Sequence, residues 1–261
     1  MTGMMAILTS MKPTVVPAVV SAEVTSGLVL QYDPANPASY SGSGTAVTDL
    51  SGLGFTGTLI NSPTFDAAQG GGSWVMDGVN DYLLTSNLVT QFNTGNGSVT
   101  VEVWCRPTDT AGRSVLAELG GTGGIPPPAG WFDNQIEVGP VGPFFTARAG
   151  VWTGSGTAYG GMGATNPTVN TWTQLVLRYA PNAVQSAKDG VLISSPTAAT
   201  RSAPWPTHGL YYGIGANTGT TLNLASGYFK GNIGIVRIYN RQLTAAEVLQ
   251  NYNANKARYG L

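Results

Sequence analysis

Turn-forming residues recur so often along this chain that they leave room only for short elements. From residue 26 onward, apolar or alternating runs are separated by Gly, Pro, Asn and Asp. Short runs at such spacing are typical of an all-β sandwich or barrel. Strands are predicted at residues 28–32, 55–60, 73–76, 82–85, 98–106, 114–119, 135–138, 144–149, 172–179, 191–194, 210–214 and 231–239.

The composition agrees with a single glycine-rich β domain. Glycine accounts for 36 of 261 residues, while the charged residues make up 10% of the chain, against roughly 25% in an ordinary soluble domain. Hydrophobic residues at 42% and aromatic residues at 9% supply enough material for a core. The formal net charge of −1 excludes binding to nucleic acid through a basic surface.

One helix is predicted near the C-terminus, over residues 244–258. Thr244 and Glu247 have the spacing of a capping box, in which each side chain bonds a backbone N–H at the helix start. An apolar stripe follows and Gly260 is a plausible stop. The stripe consists of Val248, Leu249 and Tyr252. We expect this helix to pack on an end or an edge of the sandwich.

The N-terminal 25 residues are predicted to form an extended arm. Residues 15–20 are apolar, but they are too few to cross a bilayer and Pro17 interrupts them. A signal peptide would place basic residues before its apolar stretch, whereas Lys12 follows the first one; residues 20–22 nevertheless resemble a cleavage site. We expect the arm to be held by a partner, since apolar extended segments suit strand addition.

The single thiol, Cys105, is predicted to be a core residue. It continues the alternation of Val99, Val101 and Val103 on one strand face, and one cysteine allows no intrachain disulfide. Asp189 and Gly190 predict a tight hairpin turn, because both tolerate positive φ.

Five blocks in order resemble the laminin G-like (LamG) jelly rolls of the concanavalin A-like lectin/glucanase superfamily. The most specific is MDGVNDYL, where Asp77 and Gly78 form a turn between two strands. The blocks are residues 27–34 (GLVLQYDP), 48–65, 76–83 (MDGVNDYL), 98–107 with 172–175, and 228–254. Three stretches, YDPANPASYSGSGT, DGVNDY and KARYGL, are also similar to LamG-like domains in virion proteins of tailed bacteriophages.

The resemblance implies an antiparallel β-sandwich, a concanavalin A-like jelly roll, with a short C-terminal helix. The expected organisation is an anchoring arm at residues 1–25 and one LamG-like sandwich at 26–261. By the same resemblance, such proteins decorate heads, necks or tails, and some of them bind surface glycans.

Catalysis is not expected. Asp133 and Glu137 share one strand face about 13 Å apart, which exceeds the ~5–9.5 Å that glycosidase carboxylates need. Glu102 has no second acid on its strand, and His208, the one histidine, lies in a turn-like segment. No nucleophile elbow, phosphate loop or dinucleotide motif is present. Acids from different strands could still converge in space.

The candidate carbohydrate-binding residues are aromatic side chains in predicted loops. Aromatic faces stack on sugar rings, and amides and hydroxyls complete such sites. The candidates are Trp131, Trp152, Tyr159 and Trp205, with Asn134 and Asn166 as polar partners. The alternative is that Trp131 and Trp205 plug the ends of the sandwich.

A calcium site is the less favoured interpretation of the acidic residues, and no metal or cofactor is expected. Its oxygen ligands would come from Asp49, Asp77, Asp81 or Asp133. Each of these residues is equally well explained as a turn former.

The sequence therefore predicts a non-enzymatic virion protein of a tailed phage, with a capsid decoration or cement protein as the leading hypothesis. Its arm would bind major capsid or tail proteins, and its sandwich would face outward on the particle and engage host glycans. A homo-oligomer is compatible with this hypothesis, whereas nucleic acid and membrane partners are not expected. The alternatives are a tail, neck or fibre component, a carbohydrate-binding module of a secreted bacterial protein, and a glycan-cleaving depolymerase.

Overall fold

The computed structural model describes the sandwich and little of the arm. The described residues are 22–92, 98–112, 114–121, 133–138, 147–148, 159–160, 167–180, 183–193, 195, 210–216 and 227–261. The predicted arm therefore falls outside the described residues up to residue 21, as does His208.

Short strands dominate the described residues, as predicted. The strands are β1 (Leu28–Tyr32), β2 (Ala46–Val47), β3 (Gly57–Ile60), β4 (Thr64–Asp66), β5 (Ser73–Asp77), β6 (Tyr82–Thr85), β7 (Val99–Pro107), β8 (Ser114–Gly121), β9 (Asp133–Val138), β10 (Ala147–Arg148), β11 (Tyr159–Gly160), β12 (Thr173–Ala180), β13 (Ala183–Lys188), β14 (Val191–Leu192), β15 (Leu210–Ile214) and β16 (Lys230–Tyr239). The helices are α1 (Val89–Phe92) and α2 (Ala245–Asn255), and a 3-10 turn at Lys256–Tyr259 continues α2.

The strands pair into two antiparallel sheets, which confirms the predicted sandwich. The first sheet has the order β14-β13-β12-β7-β16-β5-β4, and β1 also pairs with β16. The second sheet has the order β11-β10-β9-β8-β15-β6-β3-β2. The inner faces of both sheets contribute to one hydrophobic core, in which the thiol of Cys105 is fully buried.

The first sheet is buried on both faces because α2 covers its outer side. Trp104, Trp172 and Ile235 form an outer cluster there with Tyr259 of the 3-10 turn. The rings of Trp104 and Tyr259 stack with centroids 4.3 Å apart. The helix therefore packs on a sheet face, and the expected position at an end or edge of the sandwich was wrong. Burial on both sides explains why nearly every residue of β7 is buried.

The capping box of α2 is confirmed, but the buried stripe differs from the expected one. Thr244 accepts a hydrogen bond from the Glu247 N–H, and the Glu247 side chain accepts one from the Thr244 N–H. Val248 is buried as expected, whereas Leu249 is exposed. Asn251 takes the buried position instead, because its amide bonds groups of the sheet and of the chain start.

A buried ion pair lies between α2 and the first sheet. Arg237 on β16 donates a 3.0 Å hydrogen bond to Glu102 on β7, and neither side chain is more than 1% exposed. Trp104 Nε1 and Gln174 Nε2 donate to the same carboxylate at 3.0 Å, and Asn251 Nδ2 donates at 2.7 Å. Burial alone would lower the pKa of the Arg237 guanidinium, but the Glu102 and Glu23 carboxylates outweigh it and raise that pKa.

The first described residues, 22–25, which we call the chain start, are bonded to this ion pair and its neighbours. Glu23 forms a second salt bridge with Arg237, and the Val24 N–H donates to Asn251 Oδ1 at 2.8 Å. The hydroxyl of Tyr239 donates to the Val24 carbonyl at 3.1 Å. The described end of the predicted arm, residues 22–25, is thus packed against the sandwich rather than extended away from it.

We expect Arg237→Met to destabilise the fold by about 3–5 kcal/mol, because it leaves the buried Glu102 carboxylate without its counter-charge. Urea unfolding followed by tryptophan fluorescence measures the change. The matched control is Arg241→Met, which breaks the salt bridge with Glu247, whose partners are 29% and 26% exposed. The control should cost about 1 kcal/mol or less. Equal costs for the two variants would contradict the structural importance of the buried pair.

Candidate functional site

The second sheet gathers several connections at one of its ends, which we call the loop end. Antiparallel pairing places five strand termini there: Gly121, Asp133, Arg148, Tyr159 and Leu210. At this end, therefore, β8 ends and β9 begins, β10 ends and β11 begins, and β15 begins.

Along the sequence, each of the four predicted aromatic candidates lies within five residues of a strand terminus at the loop end. Trp131 precedes β9, Trp152 lies between β10 and β11, Tyr159 begins β11, and Trp205 precedes β15. Trp131, Trp152 and Trp205 lie outside the described residues, and for Tyr159 only the pairing with Arg148 is described. Asn166 also lies outside them, and Asn134 is placed by its backbone in β9. Their role in sugar binding therefore stays a prediction.

The outer face of the second sheet adds an aromatic residue that the sequence analysis missed. Tyr211 pairs with Gly120 near the loop end, and its neighbour Tyr212 is a core residue. Because side chains alternate along a strand, Tyr211 points outward, where it is half-buried. The alternation within residues 210–214 could have identified it. Tyr82, also half-buried and outward, is its counterpart at the opposite end of the same face.

Two carboxylates also lie on this outer face. Glu118 on β8 is flanked by core residues Ala117 and Leu119, and Glu137 on the neighbouring β9 is flanked by Ile136 and Val138. These acids lie on neighbouring strands, but Glu137 pairs with Val115, which is three residues along β8 from Glu118. Glu118 is 0% exposed and Glu137 is 4% exposed, so a ligand in solvent does not reach either carboxylate in this structure. Their burial favours a structural role over acid–base catalysis, which requires contact with the substrate.

The other acids considered for chemistry are occupied by the fold. The Glu102 carboxylate holds the buried ion pair. Both oxygens of Asp49 accept hydrogen bonds, from the Gln31 and Ser51 N–H groups and from the Ser51 hydroxyl among others. Asp77 Oδ1 accepts hydrogen bonds from three consecutive backbone N–H groups. Burial alone would raise the pKa of this carboxyl, but the hydrogen bonds outweigh burial and lower that pKa.

The contacts of Asp49 and Asp77 are those of turn-forming residues, which was one of the two interpretations of their sequence positions. Within the described residues, no group of three His, Cys, Asp or Glu side chains could hold a metal ion. The same part of the chain contains no helix with the length and apolar character needed to span a bilayer.

The fold is that of a concanavalin A-like lectin/glucanase-type domain. The chain belongs to the concanavalin A-like lectin/glucanase superfamily, because its laminin G family model matches residues 77–249, more than half of the chain. No curated protein sequence matches the chain.

Solved structures share the fold at low identity. A sialidase from Trypanosoma rangeli, in complex with sialic acid, matches with a TM-score of 0.62 and 15% identity over 89% of this chain. The match covers 33% of the sialidase, so the chain spans about a third of that enzyme.

Two further structures match with similar scores. Domain 4 of an extracellular GH43 arabinanase from Geobacillus stearothermophilus, in complex with arabinotriose, matches with a TM-score of 0.54 and 18% identity, over 89% of this chain and 99% of that one. The binding domain of botulinum neurotoxin DC, in complex with SialylT, has a TM-score of 0.56 and 8% identity, over 88% of this chain and 52% of that one. At these identities the likeness shows the fold alone.

We expect the thiol of Cys105 not to react with a disulfide reagent in the native protein, because burial raises its pKa and blocks access. Labelling with Ellman's reagent measures this: no reaction is expected in buffer, and one thiol per chain in denaturant. Rapid labelling of the native protein would contradict the assignment of Cys105 to the core.

Proposed function

We propose that this protein is a non-enzymatic virion component of a tailed phage, a capsid decoration or cement protein that displays a lectin-like domain. Its N-terminal arm binds a capsid or tail protein, and its loop end faces outward and binds host glycans. The protein would then reside on the particle surface. Two observations support this proposal: the sequence resemblance to phage LamG-like domains, and a fold shared with structures solved in complex with carbohydrate.

The observation that carries the proposal is the separation of the chain start from the loop end. Glu23 lies on the outer face of the first sheet, whereas the connections of the loop end come from the second sheet. Traced backward from Gly27 to Glu23, the chain passes from the level of Asn240 to that of Arg237, which is towards the middle of β16. An arm that begins there can bind a particle without covering the loop end.

The salt bridge between Glu23 and Arg237 also gives the arm a fixed point of departure. Gln250 Nε2 donates to the Ala22 carbonyl at 2.6 Å, and Gln31 Nε2 donates to Glu23 at 3.1 Å. A tether held by the domain in this way orients the domain relative to its partner. A freely jointed linker would not do so.

A non-enzymatic role is favoured by the burial of Glu118 and Glu137, by the ion pair that Glu102 forms, and by the turn hydrogen bonds of Asp49 and Asp77. A carbohydrate-binding module of a secreted bacterial protein is the second candidate. It is favoured by the match that covers 99% of an arabinanase domain, since there the same fold occurs as a separate unit of a larger chain.

We expect removal of residues 1–21 to abolish binding to particles that lack this protein, while the domain stays folded. The cut leaves Glu23 and Val24 in place, because removing them would take one hydrogen-bond partner from each of Arg237 and Asn251. Co-sedimentation of full-length and truncated protein with such particles measures the effect, and circular dichroism checks the fold. Equal binding of both proteins would refute anchoring by the arm. Failure of both, with retention on glycans, would favour the secreted module.

We expect Tyr211→Ala to weaken glycan retention by about twofold to tenfold, since an aromatic contact is worth about 0.5–1.5 kcal/mol. The matched control is Tyr82→Ala, which removes the same side chain from the opposite end of the same face and should leave retention unchanged. A glycan array read with full-length protein measures both.

Trp131→Ala, Trp152→Ala, Tyr159→Ala and Trp205→Ala are tested in parallel on the same array, and each should weaken retention. The glycans should be recovered uncleaved. If no variant of the loop end changes retention, the loop end is not the binding site; cleavage would identify a depolymerase.

A further inference from the structure

A pocket lies at the end of the sandwich opposite the loop end. It is lined by Gly78, Asp109, Gly112, Ser114, Gly227, Tyr228 and Lys230 and has a volume of about 230 Å³. Ser114 begins β8 and Gly121 ends it at the loop end, so at roughly 3.3 Å per residue the two places are about 23 Å apart. The pocket is therefore separate from the candidate glycan site.

Two opposite charges line this pocket without neutralising each other. Lys230 forms no ion pair among the described residues, and Asp109 accepts a hydrogen bond only from the Ala111 N–H there. An ammonium and a carboxylate that share a pocket but stay more than 4 Å apart leave room for a ligand between them. Such a ligand gains most if it carries both complementary charges.

The walls of the pocket are fixed by backbone contacts. Lys230 accepts a 3.0 Å hydrogen bond from the Thr108 N–H through its carbonyl, and the Gly227 carbonyl accepts one of 2.7 Å from Val115. A site that is rigid before binding loses less entropy when it is filled.

Glycine keeps the pocket open. Gly78 and Gly227 have φ values of 78° and 80°, which L side chains rarely adopt. A Cβ at Gly78 would lie 2.7 Å from Lys230 Cβ, so any side chain there would displace the lysine stem.

We propose that this pocket binds a small zwitterion, whose carboxylate pairs with Lys230 and whose ammonium pairs with Asp109. Tyr228 lines the same pocket. The volume lies below the 300–1,000 Å³ of pockets for larger ligands, so a single amino acid or one amino sugar acid is the appropriate size. This inference does not depend on the proposed virion role.

The test is a titration of ¹⁵N-labelled full-length protein, followed through the amide signals of Gly78, Gly112 and Gly227. Glycine is the probe for an amino acid ligand, and muramic acid is the probe for an amino sugar acid ligand. Acetate and methylammonium each supply one charge alone. At least one zwitterion should shift these signals to saturation at millimolar concentration, and the single-charge probes should bind at least tenfold more weakly. The tighter zwitterion identifies the source.

Lys230→Met and Asp109→Asn should each weaken zwitterion binding at least tenfold. The methionine keeps the stem that packs on Gly78, and the asparagine keeps the acceptor for Ala111. Lys256→Met, which removes a charge on the helix-covered face, is the matched control and should bind as the original does. Thermal unfolding checks that the variants are folded. The proposal is overturned if neither zwitterion shifts the three glycines, if acetate binds as tightly, or if Lys230→Met binds unchanged.

Discussion

The buried pair of Glu102 and Arg237 is the interaction on which the arrangement of the chain ends depends. A buried ion pair is tolerated only where hydrogen bonds satisfy its remaining polar atoms. Here Trp104, Gln174 and Asn251 each donate a hydrogen bond to the Glu102 carboxylate. These donors come from two strands and from α2. The pair therefore specifies where the helix lies on the sheet, a role that apolar packing alone would fulfil with less precision.

One face of the sandwich is consequently closed by the chain itself. The helix and residues 22–28 cover the first sheet, so its outer surface is unavailable to a large ligand. The remaining places for recognition are the part of the second sheet's outer face around Tyr211, which is half-buried, and the two ends. Among the described residues, Tyr211 accordingly lies on the second sheet and the Glu23 salt bridge on the first.

The sequence predicted most strands because the core segments are rich in branched and aromatic residues with clear turns between them. It missed β13, since QSAK at 185–188 has no such residue; that strand forms because it pairs with β12 and turns at Asp189 and Gly190, where φ is 50° and 80°. The position of α2 was also missed, because the buried Asn251 looks polar in the sequence. Its hydrogen bonds to Glu102 and Val24 come from residues distant in the chain, which no local pattern reports.

The motif that is most specific for the family also forms part of the pocket opposite the loop end. In MDGVNDYL, Asp77 stabilises the turn by accepting hydrogen bonds from three N–H groups. In this turn Gly78 has a positive φ and lies beside Lys230. A residue with a Cβ at position 78 would push the lysine stem out of place. A turn required by the fold thus also leaves an open pocket beside a lysine without an ion-pair partner in the described chain. In this way one local sequence serves both the stability of the sandwich and a place for a ligand.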